Sequence, residues 1–172
     1  MLHHQPEYQT VHIRNHDSLN AGILRDFQAC RHAPDRQTHF FHGRYENLYI
    51  DIRRMPSVRA LLDIATGHAA RILGMDPGQL RCGFWFNLME PGQVTSLHSH
   101  DEDDELLSCV YYVDVPASSG ELVLLLEDGE KRLKPENGMF VFFPPWLEHE
   151  VSRHEGGRSR LSLAINFGPA AV

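Results

Sequence analysis

Two stretches decide the reading of this chain: Pro91-Gly92-Gln-Val-Thr-Ser-Leu-His98-Ser99-His100 and Gly138-Met-Phe-Val-Phe-Phe-Pro144-Pro145-Trp-Leu-Glu-His149-Glu-Val151. In an extended strand, side chains at i and i+2 share one face about 7 Å apart. His98 and His100 placed this way can grip one metal ion, provided a third donor arrives from a facing strand. A bare HxH is more often a surface pair, and a lone histidine such as His149 is more often a satisfied core or rim residue. Context favours a metal site here. The pair follows a Pro-Gly turn and precedes the apolar run Leu106–Val115, and His149 follows a second apolar run about fifty residues on. Pro144-Pro145 locks two φ angles beside His149, so that ligand has little freedom to lose when an ion binds.

Outward from these stretches, short β-branched and aromatic runs alternate with turn clusters. Strands are expected near 82–90, 106–115, 120–127, 138–143, 148–153 and 159–167, broken at Glu90-Pro91-Gly92, Pro116–Gly120, Glu127-Asp128-Gly129 and Pro135–Gly138. Such spacing predicts a mainly β fold, a sandwich or barrel. Earlier in the chain, Leu19, Ile23, Leu24 and Phe27 lie at helical spacing after the candidate caps Asp17 and Ser18. Pro56-Ser57 opens a second amphipathic helix through Leu73, ended by Gly74. Both helices are expected on the outside of the sandwich. The chain reads as one domain over 1–172, with 1–80 as helical and extended support and 81–168 as the β core.

Composition narrows the function. The 172 residues are enough for one core, and no apolar run approaches the roughly 20 residues a bilayer requires. The N-terminus is polar, without the apolar centre of a secretory signal, so a cytoplasmic location is expected. A net charge of −7 argues against a nucleic-acid-wrapping protein. Three widely spaced cysteines do not make a disulfide framework. The 12 histidines are too many to be informative by number alone, so spacing must select among them.

Along Arg158–Phe167, Arg160, Ser162, Ala164 and Asn166 share one face and Leu161, Leu163 and Ile165 the other. An arginine facing into a sandwich needs an anion, because a buried unpaired guanidinium is costly. Its planar fork suits a carboxylate, with the Ser162 hydroxyl as a neighbouring donor. The alternative, an edge strand with Arg160 in water, remains open on spacing alone.

Taken in order, Trp85-Phe-Asn87, His98-Ser-His100, Ser108–Pro116, Gly138–Val151 and Arg160-Leu-Ser162-Leu-Ala-Ile-Asn166 resemble the Fe(II)- and 2-oxoglutarate-dependent oxygenases, notably a bacterial and phage branch with HxH in place of HxD. The resemblance covers roughly residues 83–168. It implies a double-stranded β-helix of the jelly-roll or cupin-like kind. Fe(II) would be bound through His98, His149 and a third residue, His100 or a carboxylate such as Asp101 or Asp103 from the acidic run 101–105. It also implies 2-oxoglutarate as cosubstrate, its distal carboxylate held by Arg160 and Ser162, with Asn87 or Tyr111 bonding it. The implied reaction is hydroxylation of a small-molecule or peptidyl substrate with O2, and a homodimer is left open.

The competing resemblance is to the cupins. Gly92, His98, His100 and Glu105 match the first cupin motif, which fails at Tyr112. Gly138, Pro144 and His149 match the second, with Trp146 and Arg153 replacing its glycine and asparagine. A cupin would hold the metal without 2-oxoglutarate, but that pattern leaves Trp85-x-Asn87 and Arg160-x-Ser162 unexplained. A non-catalytic metal or small-molecule binding domain is the third reading. Phe40, Phe41, Tyr45 and their polar neighbours in His39–Asn47 are expected either to pack in a core or to shape a substrate mouth.

Overall fold

The computed structural model describes residues 8–101 and 103–171; residues 1–7, read above for a leader, and Glu102 of the acidic run lie outside them. In chain order the elements are β1 (Gln9–His12), α1 (Asp17–Cys30), β2 (Arg36–Phe41), β3 (Arg44–Tyr49), α2 (Pro56–Leu73), β4 (Leu80–Met89), β5 (Thr95–His98), β6 (Leu107–Asp114), β7 (Leu122–Leu126), β8 (Gly129–Leu133), β9 (Met139–Phe143), β10 (His149–Val151) and β11 (Arg160–Pro169). From β4 onward the chain passes back and forth between two sheets. The larger has the order β1-β9-β6-β11-β4-β3-β2 and the smaller β5-β10-β7-β8. This is the double-stranded β-helix expected from the sequence, with antiparallel pairing throughout the core.

The large sheet has a core on each side. Its outer face packs Phe86, Tyr111, Phe140, Phe142, Leu163, Ile165 and Phe167 against Ile23, Phe27, Val58, Leu61, Ala65 and Ala69 of the two helices. Its inner face packs Met89, Tyr112, Met139, Val141 and Phe143 against Leu122, Leu124 and Val151 of the small sheet. α2 forms as its sequence predicts: Pro56 stands in the first turn, the apolar stripe is buried, and Gly74 caps the end at φ 67. That left-handed φ is one that glycine adopts without the Cβ penalty. Neither helix is long and apolar enough to cross a membrane.

Within region 1–80, β1, β2 and β3 extend both edges of the large sheet. Three expectations change. At α1 the expected cap by Asp17 or Ser18 is not made; His16 stands at the N-cap without a side-chain hydrogen bond. The polar run Gly129–Leu133 forms β8, an exposed edge that pairs with β7. The HxH pair is not strand-borne throughout. β5 ends at His98, and the backbone N–H of His100 donates instead to Pro145 O at 2.7 Å.

Candidate metal centre

β10 pairs with β5 so that His149 sits directly opposite His98. The two-proline turn before β10 performs two tasks at once: it delivers His149 and, through the Pro145 carbonyl, catches the backbone of His100. The three rings converge, with centroids 4.3 Å apart for His98–His149 and 5.0 Å for each pair containing His100. One ligating atom from each lies within 4.8 Å of the others. Among the described residues this cluster holds only the three histidines. Asp101 is exposed and accepts from Ser99 Oγ at 2.7 Å, while the exposed Asp103 lines the mouth of the site. The arrangement therefore brings His100, rather than Asp101 or Asp103, to the third position.

Hydrogen bonds orient two of the rings. His98 Nδ1 lies 2.6 Å from Ser96 O, and His149 Nδ1 lies 2.9 Å from Leu147 O. A carbonyl only accepts, so each Nδ1 carries the proton and each Nε2 keeps its lone pair for an ion. His100 Nε2 stands 3.3 Å from His149 Nε2. Two imidazole nitrogens that share an ion at about 2.1 Å stand roughly 3 Å apart, so the donor set fits a metal. Burial, and then the charges of His98 and His100, push His149 down to about 3. Burial, followed by the charges of His98 and His39, takes His100 down to about 4. Burial lowers His98 as well. All three are neutral near pH 7, the state in which imidazole binds metal.

The cavity onto which the histidines open also contains Asn87, Tyr112, Arg160 and Ser162. Arg160 is 1% exposed. Its Nη1 donates to the carbonyls of Ser119 and Gly120, and its Nη2 lies against Met89 Sδ, so every acceptor it has among the described residues is neutral, and among them its buried Nε has no partner. Burial lowers the guanidinium pKa, the Tyr112 side chain raises it, and Arg44 lowers it further. Asn87 Oδ1 is also buried without a partner, and Ser162 stands opposite Asn87 in the β11–β4 register. The buried cation with no anion suits a ligand carboxylate, whereas the orphaned amide oxygen calls for a donor, or for a turn of the amide that presents its NH2 instead.

Tyr111 does not reach this cavity. Register sets Ser162 opposite Tyr112 and Leu163 opposite Tyr111, the one bulge of this pairing lying beyond Tyr112 toward Asp114. Tyr111 therefore joins the helix-facing core, where its hydroxyl donates to Asn20 Oδ1 at 2.5 Å. Tyr112 takes the inward place, its ring 5.7 Å from the Arg160 guanidinium carbon. Trp85, as alternation along β4 requires, points away from Phe84 and Phe86 and stacks on His100 at 5.3 Å.

Two positions carried no signal in the sequence. Glu46, 3% exposed, accepts from the N–H and hydroxyl of Ser96, whose carbonyl holds His98. Arg44 ties β3 to the same segment through the carbonyls of Leu88 and Val94. Only their burial, which sequence does not reveal for charged residues, singles them out. The hairpin of β2 and β3 also forms part of the mouth through Arg36, Thr38, His39, Asn47 and Tyr49, while Phe40, Phe41 and Tyr45 lie exposed at its tip. The core-packing expectation for those three aromatics is not met.

A sequence profile of the 2OG-Fe(II) oxygenase superfamily matches residues 84–168. Among solved structures, a Pseudomonas putida prolyl-4-hydroxylase is similar, at 22% identity over 96% of this chain and 89% of its own, with a TM-score of 0.67. A Trichoplax adhaerens prolyl hydroxylase, solved with a hypoxia inducible factor oxygen degradation domain peptide fragment, is 15% identical over 94% and 83%, with a TM-score of 0.71. The epimerase SnoN from nogalamycin biosynthesis, solved with Fe3+, alpha ketoglutarate and nogalamycin RO, is 14% identical over 95% and 79%, with a TM-score of 0.73. No curated protein matches by sequence. The profile spans both histidine segments and the Arg160 strand, and so favours the oxygenase over the cupin reading. The chain belongs to the 2OG-Fe(II) oxygenase superfamily, with Fe(II) as its metal and 2-oxoglutarate as its cosubstrate.

Proposed function

We propose that this oxygenase hydroxylates a C–H bond of a small-molecule or peptidyl substrate, with His98, His100 and His149 as its iron ligands. Arg160, Ser162 and Asn87 bind 2-oxoglutarate, and Tyr112 replaces Tyr111 as the aromatic wall beside the cosubstrate. The observation that carries this reading is the buried Arg160, without an anion, in the cavity onto which the three histidines converge. When bound, Fe(II) and 2-oxoglutarate supply O2-dependent oxidative chemistry coupled to decarboxylation of the cosubstrate.

The chain's own residues do the positioning. The guanidinium of Arg160, pinned by two carbonyls, offers its remaining donor to the distal carboxylate, and that charge pairing offsets the desolvation already imposed on the arginine. Ser162 Oγ, now 3.5 Å from Asn87 O, can turn to the same carboxylate. Trp85 covers one face of His100 and, with Tyr49 at 5.9 Å, forms an aromatic wall of the mouth. That wall keeps water from one side of the site. The free thiols of Cys30, Cys82 and Cys109, and a ferrous requirement, agree with a reducing compartment and so with a cytoplasmic location.

Anaerobic addition of Fe(II) and then 2-oxoglutarate tests the reading. A visible charge-transfer band is expected from the chelate. Bound iron without that band would overturn the cosubstrate assignment, and failure to bind iron would overturn the metal centre.

A further inference from the structure

In a metal-bound histidine the nitrogen facing away from the ion keeps its proton and needs an acceptor. Backbone carbonyls meet that need for His98 and His149. His100 lies beyond the end of β5, and among the described residues its Nδ1 meets no carbonyl. It stands instead 3.1 Å from the side-chain amide of Asn166, with Trp85 stacked on the ring. Ser108 Oγ lies 2.9 Å from the other arm of that amide. Asn166 reaches this spot because β11 alternation carries Arg160, Ser162, Ala164 and Asn166 along one face, and register sets Asn166 opposite Ser108.

We propose that Asn166 is the positioning residue of His100, and that its amide turns over when the ion binds. In one orientation Nδ2 donates to His100 Nδ1, which leaves the ring proton on Nε2, directed at His149 Nε2 3.3 Å away. This is the metal-free arrangement. In the other, Oδ1 accepts from Nδ1–H and Nε2 is bare for the ion. The ring stays neutral, since one proton passes from Nε2 to Nδ1. A carboxamide rotated by a half-turn keeps the same heavy-atom contacts, and a hydroxyl both donates and accepts, so Ser108 satisfies either orientation. His100 thus obtains from a side chain the second contact that its two partners obtain from the backbone. This inference rests on the assignment of His100 as a metal ligand.

The test uses Co(II) titration of the metal-free protein, and Zn(II) as a diamagnetic probe for ¹⁵N-histidine NMR. Asn166→Ala is expected to weaken Co(II) binding about 10- to 100-fold and to alter the cobalt visible spectrum. Asn166→Asp, an acceptor toward both His100 and Ser108, is expected to bind Co(II) at least as tightly as the wild type. In a His100→Asp background, where no Nδ1 remains to be held, Asn166→Ala should have little further effect. Zn(II) should move His100 from the Nε2–H to the Nδ1–H tautomer. Three results would overturn the role: wild-type cobalt affinity in Asn166→Ala, an Asn166→Asp variant as weak as Asn166→Ala, or a loss that persists in the His100→Asp background. A wild-type protein that takes up neither Co(II) nor Zn(II) would overturn the metal centre itself, and this role with it.

Discussion

The two faces of β11 are built from the same ten residues of backbone to opposite ends. On the outer face Leu161, Leu163, Ile165 and Phe167 are at most 2% exposed and pack into the helix-side core. On the inner face Arg160, Ser162 and Ala164 face a cavity in which polar atoms remain unpartnered, and Asn166 lines its mouth. A strand can hold an incompletely partnered polar surface on one side because the other side supplies the burial that keeps it in place. Stability and function are thereby separable, and mutations on the two faces should show it.

The largest effect is expected on the outer face. Phe86 of β4, fully buried and 4.8 Å from Phe27, is the lid of that core. Phe86→Ala should cost about 3–5 kcal/mol in chemical denaturation while the folded fraction still binds metal. Equal damage to metal affinity at low temperature would show that the faces are coupled. On the inner face, Arg160→Met is expected to weaken 2-oxoglutarate binding on the order of 100-fold, about 3 kcal/mol, with iron affinity and denaturation midpoint little changed. A large fall in stability would recast Arg160 as a structural brace.

The histidine cluster sharpens the comparison through pH. His149 titrates near 3 and His100 near 4 in the fold, against an ordinary value of 6.5. Between those values the unfolded chain binds protons that the folded chain excludes, so stability of the metal-free protein falls as pH drops from about 6.5 toward 4. A loss on the order of 2–4 kcal/mol is expected by urea denaturation at the two pH values, and it should shrink in His149→Phe. A flat profile would mean that the cluster is more solvated than its burial implies. The smallest effect is expected at Glu46→Gln, which weakens the grip on Ser96 that holds His98: about tenfold in metal affinity, with wild-type stability within roughly 1 kcal/mol.

Periodicity revealed most of the outer face. The stripe of α2 and the apolar runs of β6, β9 and β11 bury enough surface that pattern and outcome coincide. The edge strands were less legible. β2 is mostly exposed and β8 is polar, so pairing rather than burial makes them strands. Of the site, His98 and His149 stood out because a turn and an apolar strand flank each. Tyr111 was placed on the wrong face because two adjacent tyrosines look alike in a sequence, and only the pairing of β6 with β11 sets Tyr112 beside Ser162 and Tyr111 beside Leu163. Glu46 escaped because its contacts are with residues far along the chain, and Asn166, placed on the site face by alternation, gave no sign of its contact with His100 for the same reason.

By itself the sequence determined the chemistry available: three imidazoles, an arginine in alternation with a serine, and a β architecture to carry them. Only the tertiary structure decided which groups meet. Pairing of β5 with β10 sets His98 against His149, the Pro145 carbonyl draws His100 out of its strand into the cluster, and sheet register leaves Arg160 buried without an anion. Side-chain alternation is a local property, written in neighbouring residues. Register, bulges and the burial of a charge depend on distant segments and exist only once the sheets have closed.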